Sequence, residues 1–430
     1  MIKIIGGGLA GAEVANQLVK RGISATLYDM KPLKKSPAHK SGLLGELVCS
    51  NSLKSVDIST PSGLLKAEMR QFDSLVLRAA EESRVDAGGA LAVDRIKFAS
   101  YIDKWLRSQN LLTVETKEAD SVDDDGYTVI ATGPLTSDAL NGELKRLVGE
   151  RLHFFDAAAP IVSADSIDYT KTFTQGRYGQ SDDYVNCPLN KDEYDAFTDA
   201  LVTAESAKLH EFDKREFFEG CMPIEVMARR GRDTLRFGML KPVGLTDVNT
   251  GRRPYAVVQL RAENVDKTMY NIVGFQTNLK FDEQRRVFSM IPALRNAEYL
   301  RYGVMHRNSY VNAPEVLNAD FSLRSKPNIY IAGQLSGVEG YMESAMSGMI
   351  TGISVACKVS GKTPPEFPKE TMMGAITSYI VNANKDGFQP MNANFGIIPD
   401  LPEPIRDKRL RKEAKSKRAI ELIRLIRENI

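Results

Sequence analysis

The sequence predicts an α/β fold in which a discontinuous Rossmann-like domain is interrupted by an inserted α+β domain. Three observations support this prediction. A strand, a glycine turn, a helix and a second strand open the chain, and another strand with a glycine-rich turn occurs near residue 330. Mixed strands and turns occupy the middle. The predicted boundaries are 1–180 and 306–430 for the two parts of the first domain and 181–305 for the insertion, and a chain of 430 residues suits two domains.

The first element has the pattern of a dinucleotide-binding turn. Ile2–Ile5 is a buried-type strand, Gly6, Gly8 and Gly11 fit G-x-G-x-x-G, and a helical pattern covers Ala12–Arg21. The first glycine permits the tight turn, the second lets the backbone approach a pyrophosphate, and the third allows close helix–strand packing. The pyrophosphate would lie at the helix N-terminus, where free N–H groups favour negative charge.

Asp29 restricts the choice of dinucleotide. It follows the strand predicted over Ser24–Tyr28, where a carboxylate can bind both ribose hydroxyls and would repel a 2′-phosphate, so FAD or NAD is favoured over NADP. The late strand Asn328–Ala332 with Gly333 favours FAD, because flavin enzymes close a similar segment over the flavin; an ordinary sheet strand is the alternative. The first domain is therefore predicted to be a Rossmann-like FAD-binding domain.

The remaining pattern of the first domain alternates between helix and strand. Helices are predicted over Leu64–Ser83 and Asp94–Arg107, strands over Leu111–Glu115 and Tyr127–Ala131, and a basic C-terminal helix from about Asp407. The insertion contains no second G-x-G-x-x-G, so a nicotinamide that reduces the flavin would have to dock transiently.

The composition excludes several classes of protein. With 43% hydrophobic and 26% charged residues, the chain is not mostly disordered. No apolar run approaches the ~18 residues of a membrane span, and the start has the pattern of neither a signal nor a transit peptide, so we expect no membrane and a cytoplasmic protein. The four cysteines and four histidines are scattered, so we expect no metal site. The net charge of +2 does not indicate a nucleic-acid partner.

Two cysteines are candidate nucleophiles. Cys49 lies among polar residues near Lys54 in a predicted loop, and Cys221 lies in another loop that arginines follow. A nearby cation lowers the pKa of a thiol, and the thiolate is the reactive form. The alternative for each is a small core residue, as we expect for Cys187 and Cys357.

Basic segments and one tyrosine could contact an anionic or flat ligand. Arg229–Lys241 and Arg252–Arg253 make the insertion locally basic, which suits RNA or a solvated face. RNA-modifying enzymes usually take loop nucleotides, whose bases can be splayed out and stacked. Tyr341 could stack on a flat ligand lying against the flavin, or it could pack inside the protein.

Longer strings of the sequence are typical of one known family. They are Ile5–Gly11, Glu46–Leu53, Glu219–Glu225, Leu235–Gly238, Lys241–Leu245, Arg301–Asn308, Ala332–Gln334 and Phe388–Asn392. Nearly end to end, the chain resembles the folate- and FAD-dependent tRNA (uracil-5-)-methyltransferases, the TrmFO family. The resemblance implies a methylene group from 5,10-methylenetetrahydrofolate, electrons from FAD recharged by NADPH or NADH, and 5-methyluridine at position 54 in the T-loop of tRNA.

The resemblance also implies roles for individual residues. A thiolate that adds to uracil C6 makes C5 nucleophilic toward a methylene electrophile, and a base must then remove the C5 proton. The family's two cysteines match Cys49 and Cys221; we favour Cys221 as the uracil nucleophile because arginines that could hold RNA follow it. Cys49 would then handle the carbon or the proton at the flavin, and Tyr341 would sandwich the pterin.

Other functions stay open on the sequence alone. The same chemistry on a uridine of 23S rRNA would use the same donor and flavin sites. A non-catalytic flavoprotein that binds RNA or senses redox state would need no reactive thiol. A plain NAD-dependent dehydrogenase would be colourless when purified, whereas a flavoenzyme is yellow. The oligomeric state is not indicated.

Overall fold

The structure is a computed structural model that describes most of the chain. It does not describe residues 36–38, 49–50, 86–89, 124, 150–151, 156–158, 180–183, 208–222, 263–266, 304–307 and 387. The chain forms two compact units, Met1–Phe154 with Asn308–Ile430, and Phe155–Arg307. The first unit is thus discontinuous in sequence.

The second unit begins earlier than the sequence predicted. The expected boundaries were 181 and 305, whereas the unit spans Phe155–Arg307. The unit begins earlier because two early strands, Ile161–Ser163 and Phe173–Thr174, pair within its sheet. Their short apolar patterns carry no signal of which sheet they join.

Sixteen strands and thirteen α-helices lie in the described part of the chain. The strands are β1 (Ile2–Ile5), β2 (Ala25–Asp29), β3 (Ser52–Ser55), β4 (Arg84–Val85), β5 (Ala90–Val93), β6 (Leu112–Thr116), β7 (Tyr127–Ile130), β8 (Leu152–Phe155), β9 (Ile161–Ser163), β10 (Phe173–Thr174), β11 (Tyr184–Leu189), β12 (Ala256–Ala262), β13 (Met269–Ile272), β14 (Tyr299–Arg301), β15 (Asn308–Val311) and β16 (Ile329–Ile331). The helices are α1 (Leu9–Val19), α2 (Pro61–Gln71), α3 (Leu75–Glu82), α4 (Arg95–Ser108), α5 (Asp138–Val148), α6 (Lys191–Thr203), α7 (Ile224–Arg229), α8 (Thr234–Phe237), α9 (Phe281–Phe288), α10 (Ala313–Val316), α11 (Tyr341–Val359), α12 (Met372–Asn382) and α13 (Lys408–Glu428). None of these helices has the length and apolar content needed to span a bilayer.

A five-stranded parallel sheet organises the first unit. Its order is β16-β7-β1-β2-β6. The strands β2 and β6 follow β1 on one side, and β7 and β16 are then added on the other side of β1. This is the strand order of a Rossmann-like fold, with its switch point between β1 and β7. The predicted fold class is confirmed. Smaller sheets in this unit pair β3, β5 and β4, and β15 with β8.

Helices α1 and α11 pack with their backbones in direct contact. A Cβ added to Gly348 would lie 2.1 Å from the carbonyl oxygen of Ala10, and one added to Gly352 would lie 2.9 Å from that of Val14. Small residues on α11 therefore allow the approach, and most of α11 from Met342 onward is buried. The contact fixes the N-terminus of α1 beside the segment that precedes α11.

The helix predicted over Leu64–Ser83 is wrong as a single element. The chain forms α2 and α3 instead, broken at Asp73, whose φ of 55° is left-handed. Ser74 then caps α3 by accepting a hydrogen bond from the Leu77 N–H at 3.2 Å. The apolar periodicity continues across the break and conceals it.

The second unit is built on an antiparallel sheet. Its strand order is β10-β11-β12-β13-β9-β14. Helix α6 starts with a capping box between Asn190 and Glu193. The core of the unit includes three aromatic rings, with Phe275 5.1 Å from Phe288 and 6.0 Å from Phe197 between ring centroids.

Candidate nucleotide-binding cleft

A cleft opens in the first unit at the carboxyl edge of the parallel sheet. The segments that follow β1, β2, β7 and β16 line it, and it encloses about 1110 Å³ of empty space, open mouth included. Parallel α/β sheets bind their ligands at this edge, beside the switch point of the strand order. The topology therefore places the predicted residues where a dinucleotide would bind.

Glycine is needed at the three motif positions for different structural reasons. Gly6 has φ of 105°, and a Cβ there would lie 2.5 Å from the Ala131 carbonyl oxygen. At Gly11 a Cβ would lie 1.9 Å from the carbonyl oxygen of Gly6. Gly8 differs, because a Cβ there would meet no protein atom within 4 Å. Gly6 and Gly11 thus allow close packing of the protein, and Gly8 keeps open space beside the backbone.

The N-terminus of α1 is suited to an anion. Gly8 is the N-cap residue and offers no side-chain cap, and the first turn contains no acidic residue. The first N–H groups of a helix have no partner within the helix, and the helix dipole makes this end positive. Together with the open space at Gly8, this end of the helix fits the pyrophosphate of a dinucleotide such as FAD.

Asp29 is fixed by two backbone N–H groups. Its Oδ2 accepts a hydrogen bond from the Gly7 N–H at 2.7 Å, and its Oδ1 accepts one from the Lys31 N–H at 2.8 Å. A carboxylate oxygen can accept more than one hydrogen bond, so both oxygens can still take a ribose hydroxyl. The link to Gly7 joins the acidic residue to the glycine turn, which the motif alone did not reveal.

Three further polar side chains of the cleft were not predicted from the sequence. Burial lowers the pKa of Lys31, whose Nζ donates to the Leu43 carbonyl at 2.6 Å, and burial also lowers the pKa of His39. Burial would raise the pKa of Glu46, but hydrogen bonds from the N–H groups of Lys40 and Ser41 outweigh it and lower that pKa. Lys31 and His39 lie in a loop without a motif of its own, and Glu46 opens the string Glu46–Leu53, which supported the resemblance but did not indicate a place in this cleft.

The opposite wall comes from the late part of the chain. Gly333 has φ of 76° and donates its N–H to Ser347 Oγ at 2.7 Å, while a Cβ on it would lie 3.2 Å from that of Ala10. Tyr341, the first residue of α11, lines the same cleft and is half-buried. The structure therefore brings Gly6, Gly8, Asp29, Gly333 and Tyr341 to one cleft, with Gly11 packed behind the turn.

The two cysteine candidates, Cys49 and Cys221, lie outside the described residues. Beside them, Val48 lines the cleft of the first unit, and in the second unit the Ile224 N–H donates to the Gln276 carbonyl at 2.8 Å. The other two cysteines, Cys187 and Cys357, are buried, as expected. Burial raises the pKa of the Cys187 thiol, so it is not a reactive thiolate.

The basic segment of the second unit is largely exposed. Arg229, Arg230, Arg252 and Arg253 present their side chains to solvent. Arg236 instead stacks on Tyr255, with its guanidinium carbon 4.1 Å from the ring centroid and its Nε donating to the Tyr255 carbonyl at 3.1 Å. Exposed arginines suit contacts with phosphates.

Fold and cleft together define a Rossmann-like dinucleotide-binding protein with an inserted second unit. Residues 1–363 match the family described as glucose inhibited division protein A. The solved structure of GidA from Aquifex aeolicus, in its form II crystal, is similar in fold, with a TM-score of 0.52 and 15% identity over 99% of this chain and 73% of its own.

Relatives of higher identity match the whole chain. The methylenetetrahydrofolate–tRNA-(uracil-5-)-methyltransferase TrmFO of Acetivibrio thermocellus is 53% identical over 425 residues, 98% of each chain. The proteins of that name from Listeria innocua and Staphylococcus aureus are 51% and 50% identical over 431 and 432 residues, each covering 100% of this chain and 99% of its own. The chain belongs to the GidA family and, within it, to the TrmFO proteins, which confirms the resemblance stated from the motifs.

Proposed function

We propose that this protein methylates C5 of uridine in tRNA, taking the carbon from 5,10-methylenetetrahydrofolate and the reducing electrons from NADPH or NADH through FAD. The observation that carries this function is the 50–53% identity, along the whole chain, to proteins named for that reaction. Methylation of 23S rRNA and a non-catalytic flavoprotein have no such support. The finer target is position 54 in the T-loop, and the cytoplasm is the compartment where we expect the enzyme to meet tRNA.

The cleft of the first unit is the proposed FAD site. Backbone N–H groups at the start of α1 would bind the pyrophosphate, with Gly6 and Gly11 shaping the turn and Gly8 leaving the space for it. Asp29, already oriented by two backbone hydrogen bonds, would accept the ribose hydroxyls. Gly333 would approach the flavin end. When bound, FAD supplies the hydride that reduces the transferred carbon to a methyl group.

The two candidate cysteines would do the chemistry on the uracil ring. Addition of the Cys221 thiolate to C6 turns the ring into an enolate, so that C5 attacks the methylene carbon. A base then removes the C5 proton as the nitrogen that carried the methylene leaves. Hydride addition to the transferred carbon would complete the methyl group, and loss of the thiolate from C6 restores the C5–C6 double bond of uracil. Cys49 would handle the carbon or the proton on the flavin side. The arginines that follow Cys221 in sequence support this assignment, because they suit a polyanionic substrate.

Tyr341 is the proposed contact for the pterin of the folate. It lines the cleft as the first residue of α11, and it is half-buried. A ring held in this way can stack on a flat heterocycle without a large loss of side-chain entropy.

A methyl-transfer assay tests the function directly. Purified yellow protein is mixed with NAD(P)H, methylene-labelled methylenetetrahydrofolate and an unmodified tRNA transcript, with a 23S rRNA fragment in parallel, and the RNA is digested. We expect labelled 5-methyluridine from tRNA alone. Label in rRNA alone would overturn the substrate, and no label from folded yellow protein would overturn the function. A transcript with cytidine at position 54 is the matched control for the target nucleotide.

A further inference from the structure

Tyr178, in the second unit, is an exposed aromatic residue on an unusual backbone. Its side chain is 71% exposed, and its φ of 58° and ψ of 23° lie in the left-handed region. Residues other than glycine, asparagine and aspartate rarely adopt this conformation, because Cβ crowds the following carbonyl. A strained backbone that presents a ring to solvent indicates a functional rather than a packing role.

Four hydrogen bonds hold this backbone in place. The Arg177 guanidinium donates to the carbonyls of Lys241 and Val243 at 2.9 and 2.7 Å, and to Gln259 Oε1 at 2.9 Å. The Tyr178 N–H donates to the Gly244 carbonyl at 2.8 Å. The segment from Lys241 to Gly244 is therefore held by the side chain of Arg177 and by the backbone of Tyr178.

The ring of Tyr178 rests on Gly244. A Cβ added to Gly244 would lie 3.1 Å from three atoms of that ring, and Gly244 itself has φ of 78°. Glycine is thus required twice at this position, by the backbone conformation and by the ring. The result is an aromatic surface supported by backbone on one side and open to solvent elsewhere. We call Tyr178 with Gly244 the stacking shelf.

Two cations belong to the segments that form the stacking shelf, Arg177 next to the ring residue and Lys241 in the segment that Arg177 binds. In sequence, the stretch between Arg229 and Arg253 has seven Lys and Arg residues against two Asp residues, although Arg232 pairs with Asp195 and Asp199. Lys241, whose carbonyl accepts a hydrogen bond from Arg177, has no acidic partner among the residues that the structure describes. A supported ring beside unneutralised cations is the arrangement by which proteins hold unpaired nucleotides, with bases stacked and phosphates neutralised.

We propose that the stacking shelf binds an unpaired base of the substrate RNA, which would hold the loop of the RNA on the second unit. The proposal rests on the proposed function, since it takes the RNA substrate as given. The Arg177 guanidinium beside the ring residue has no acidic partner among the described residues, and this positive charge favours a nucleic acid over a protein as the partner. Phe281 provides the contrast within the same unit, because it is 53% exposed but already stacks on Tyr302, with 4.8 Å between the ring centroids.

Three variants of the full-length holoenzyme test the stacking shelf. Tyr178→Asn removes the ring but suits the left-handed backbone, so it should fold with an unchanged or higher Tm. Tyr178→Phe keeps the stacking surface. Phe281→Ala is the matched control, because it removes an exposed ring that already stacks on another ring, that of Tyr302. The measurements are Kd for an unmodified tRNA transcript at several salt concentrations, and kcat and KM for tRNA and for folate.

Loss of one base–aromatic stack should weaken RNA binding roughly 5- to 150-fold. We expect that increase in the Kd and the KM for tRNA in Tyr178→Asn, with kcat, folate KM and the salt slope unchanged, and near-normal values in Tyr178→Phe and Phe281→Ala. Wild-type affinity in Tyr178→Asn, or equal losses in Tyr178→Asn and Phe281→Ala, would overturn the stacking shelf alone. Failure of the wild-type protein to bind or methylate RNA would overturn the proposed function as well.

Discussion

The two units of the molecule present their functional features in different ways. In the first unit the cleft is formed mainly by backbone: the glycine turn, the open end of α1 and the turn at Gly333. In the second unit the corresponding features are side chains, namely exposed arginines, the ring of Tyr178 and a buried carboxylate, Glu225. A ligand would meet main-chain N–H groups in the first unit and side chains in the second.

This difference explains why the sequence predicted the site of the first unit residue by residue but indicated only a basic segment in the second unit. A backbone site excludes Cβ atoms, so it needs glycine at fixed spacing, and that spacing can be read from sequence. A surface formed by arginines and an exposed ring has no such requirement, because many arrangements of charge attract an RNA equally well. The variants described next test whether ligand binding depends on the backbone in the first unit and on side chains in the second.

The largest expected effects belong to the two cysteines, one in each unit. Removal of a catalytic nucleophile commonly costs roughly 10⁴-fold or more in turnover. We expect Cys221→Ala and Cys49→Ala each to lose methyl transfer on that scale while keeping the yellow colour and the Tm of the wild-type protein. Single-turnover assays with labelled folate and tRNA measure the loss.

A 5-fluorouridine transcript distinguishes the two cysteines. Fluorine at C5 cannot leave as a proton would, so the adduct between the thiolate and C6 accumulates and appears as a shifted band on a denaturing gel. The adduct should be absent in Cys221→Ala and present in Cys49→Ala. The reverse pattern would exchange the two assignments, and wild-type turnover in both variants would remove the thiols from the mechanism. Cys357→Ser is a control for the general loss of a thiol.

The second largest effects are expected for two glycines of the same turn, one of which should change stability and the other flavin affinity. Gly11→Ala places a Cβ 1.9 Å from the Gly6 carbonyl oxygen, so the turn must shift, and we expect a loss of about 3 kcal/mol in unfolding free energy together with loss of flavin. Gly8→Ala meets no protein atom, so the apoprotein should keep its stability. Its methyl group would occupy the space proposed for the pyrophosphate, and we expect the Kd for FAD to rise about tenfold or more.

Urea unfolding of the apoproteins and flavin titration measure these two quantities separately. Gly142→Ala is a suitable control, because a Cβ at this helical position of α5 also meets nothing within 4 Å and the position lies outside the cleft. It should leave flavin binding unchanged and stabilise the protein by roughly 0.5–1 kcal/mol. Normal flavin affinity in Gly8→Ala would argue against pyrophosphate binding at this turn.

The sequence predicted the parallel sheet, the glycine turn and the position of Asp29, because each depends on a short local pattern. It did not predict the left-handed break at Asp73, since Phe72 and Leu75 continue the apolar pattern through it. It also missed the hydrogen bond between Asp29 and Gly7, which links residues on different elements. Contacts of this kind depend on the tertiary fold, and no spacing along the chain encodes them.

In the second unit a buried side chain, Glu225, fixes the local backbone, whereas in the first unit the glycine turn does so. Its carboxylate accepts hydrogen bonds from Thr277 Oγ1 at 2.8 Å and from the Asn278 N–H at 2.7 Å, directly after the segment that contains Cys221. Glu225→Gln keeps one acceptor oxygen but replaces the other with an amide donor. We expect a loss of about 1 kcal/mol in unfolding free energy and unchanged flavin binding, measured by urea unfolding and flavin titration.

The pH dependence of that loss is the sharpest test of how Glu225 is held. Burial raises the pKa of Glu225, against the hydrogen bonds from Asn278 and Thr277, so the folded state binds its proton more tightly than the unfolded chain does. Wild-type stability should therefore fall, relative to Glu225→Gln, as pH rises from about 4.3, the ordinary glutamate value, through the raised pKa. Glu205→Gln, at the exposed partner of Lys280, is the control for loss of a surface carboxylate, and it should leave the unfolding free energy nearly unchanged. If the wild-type advantage instead grows with pH, the two hydrogen bonds outweigh burial, and this carboxylate works as a fixed anion.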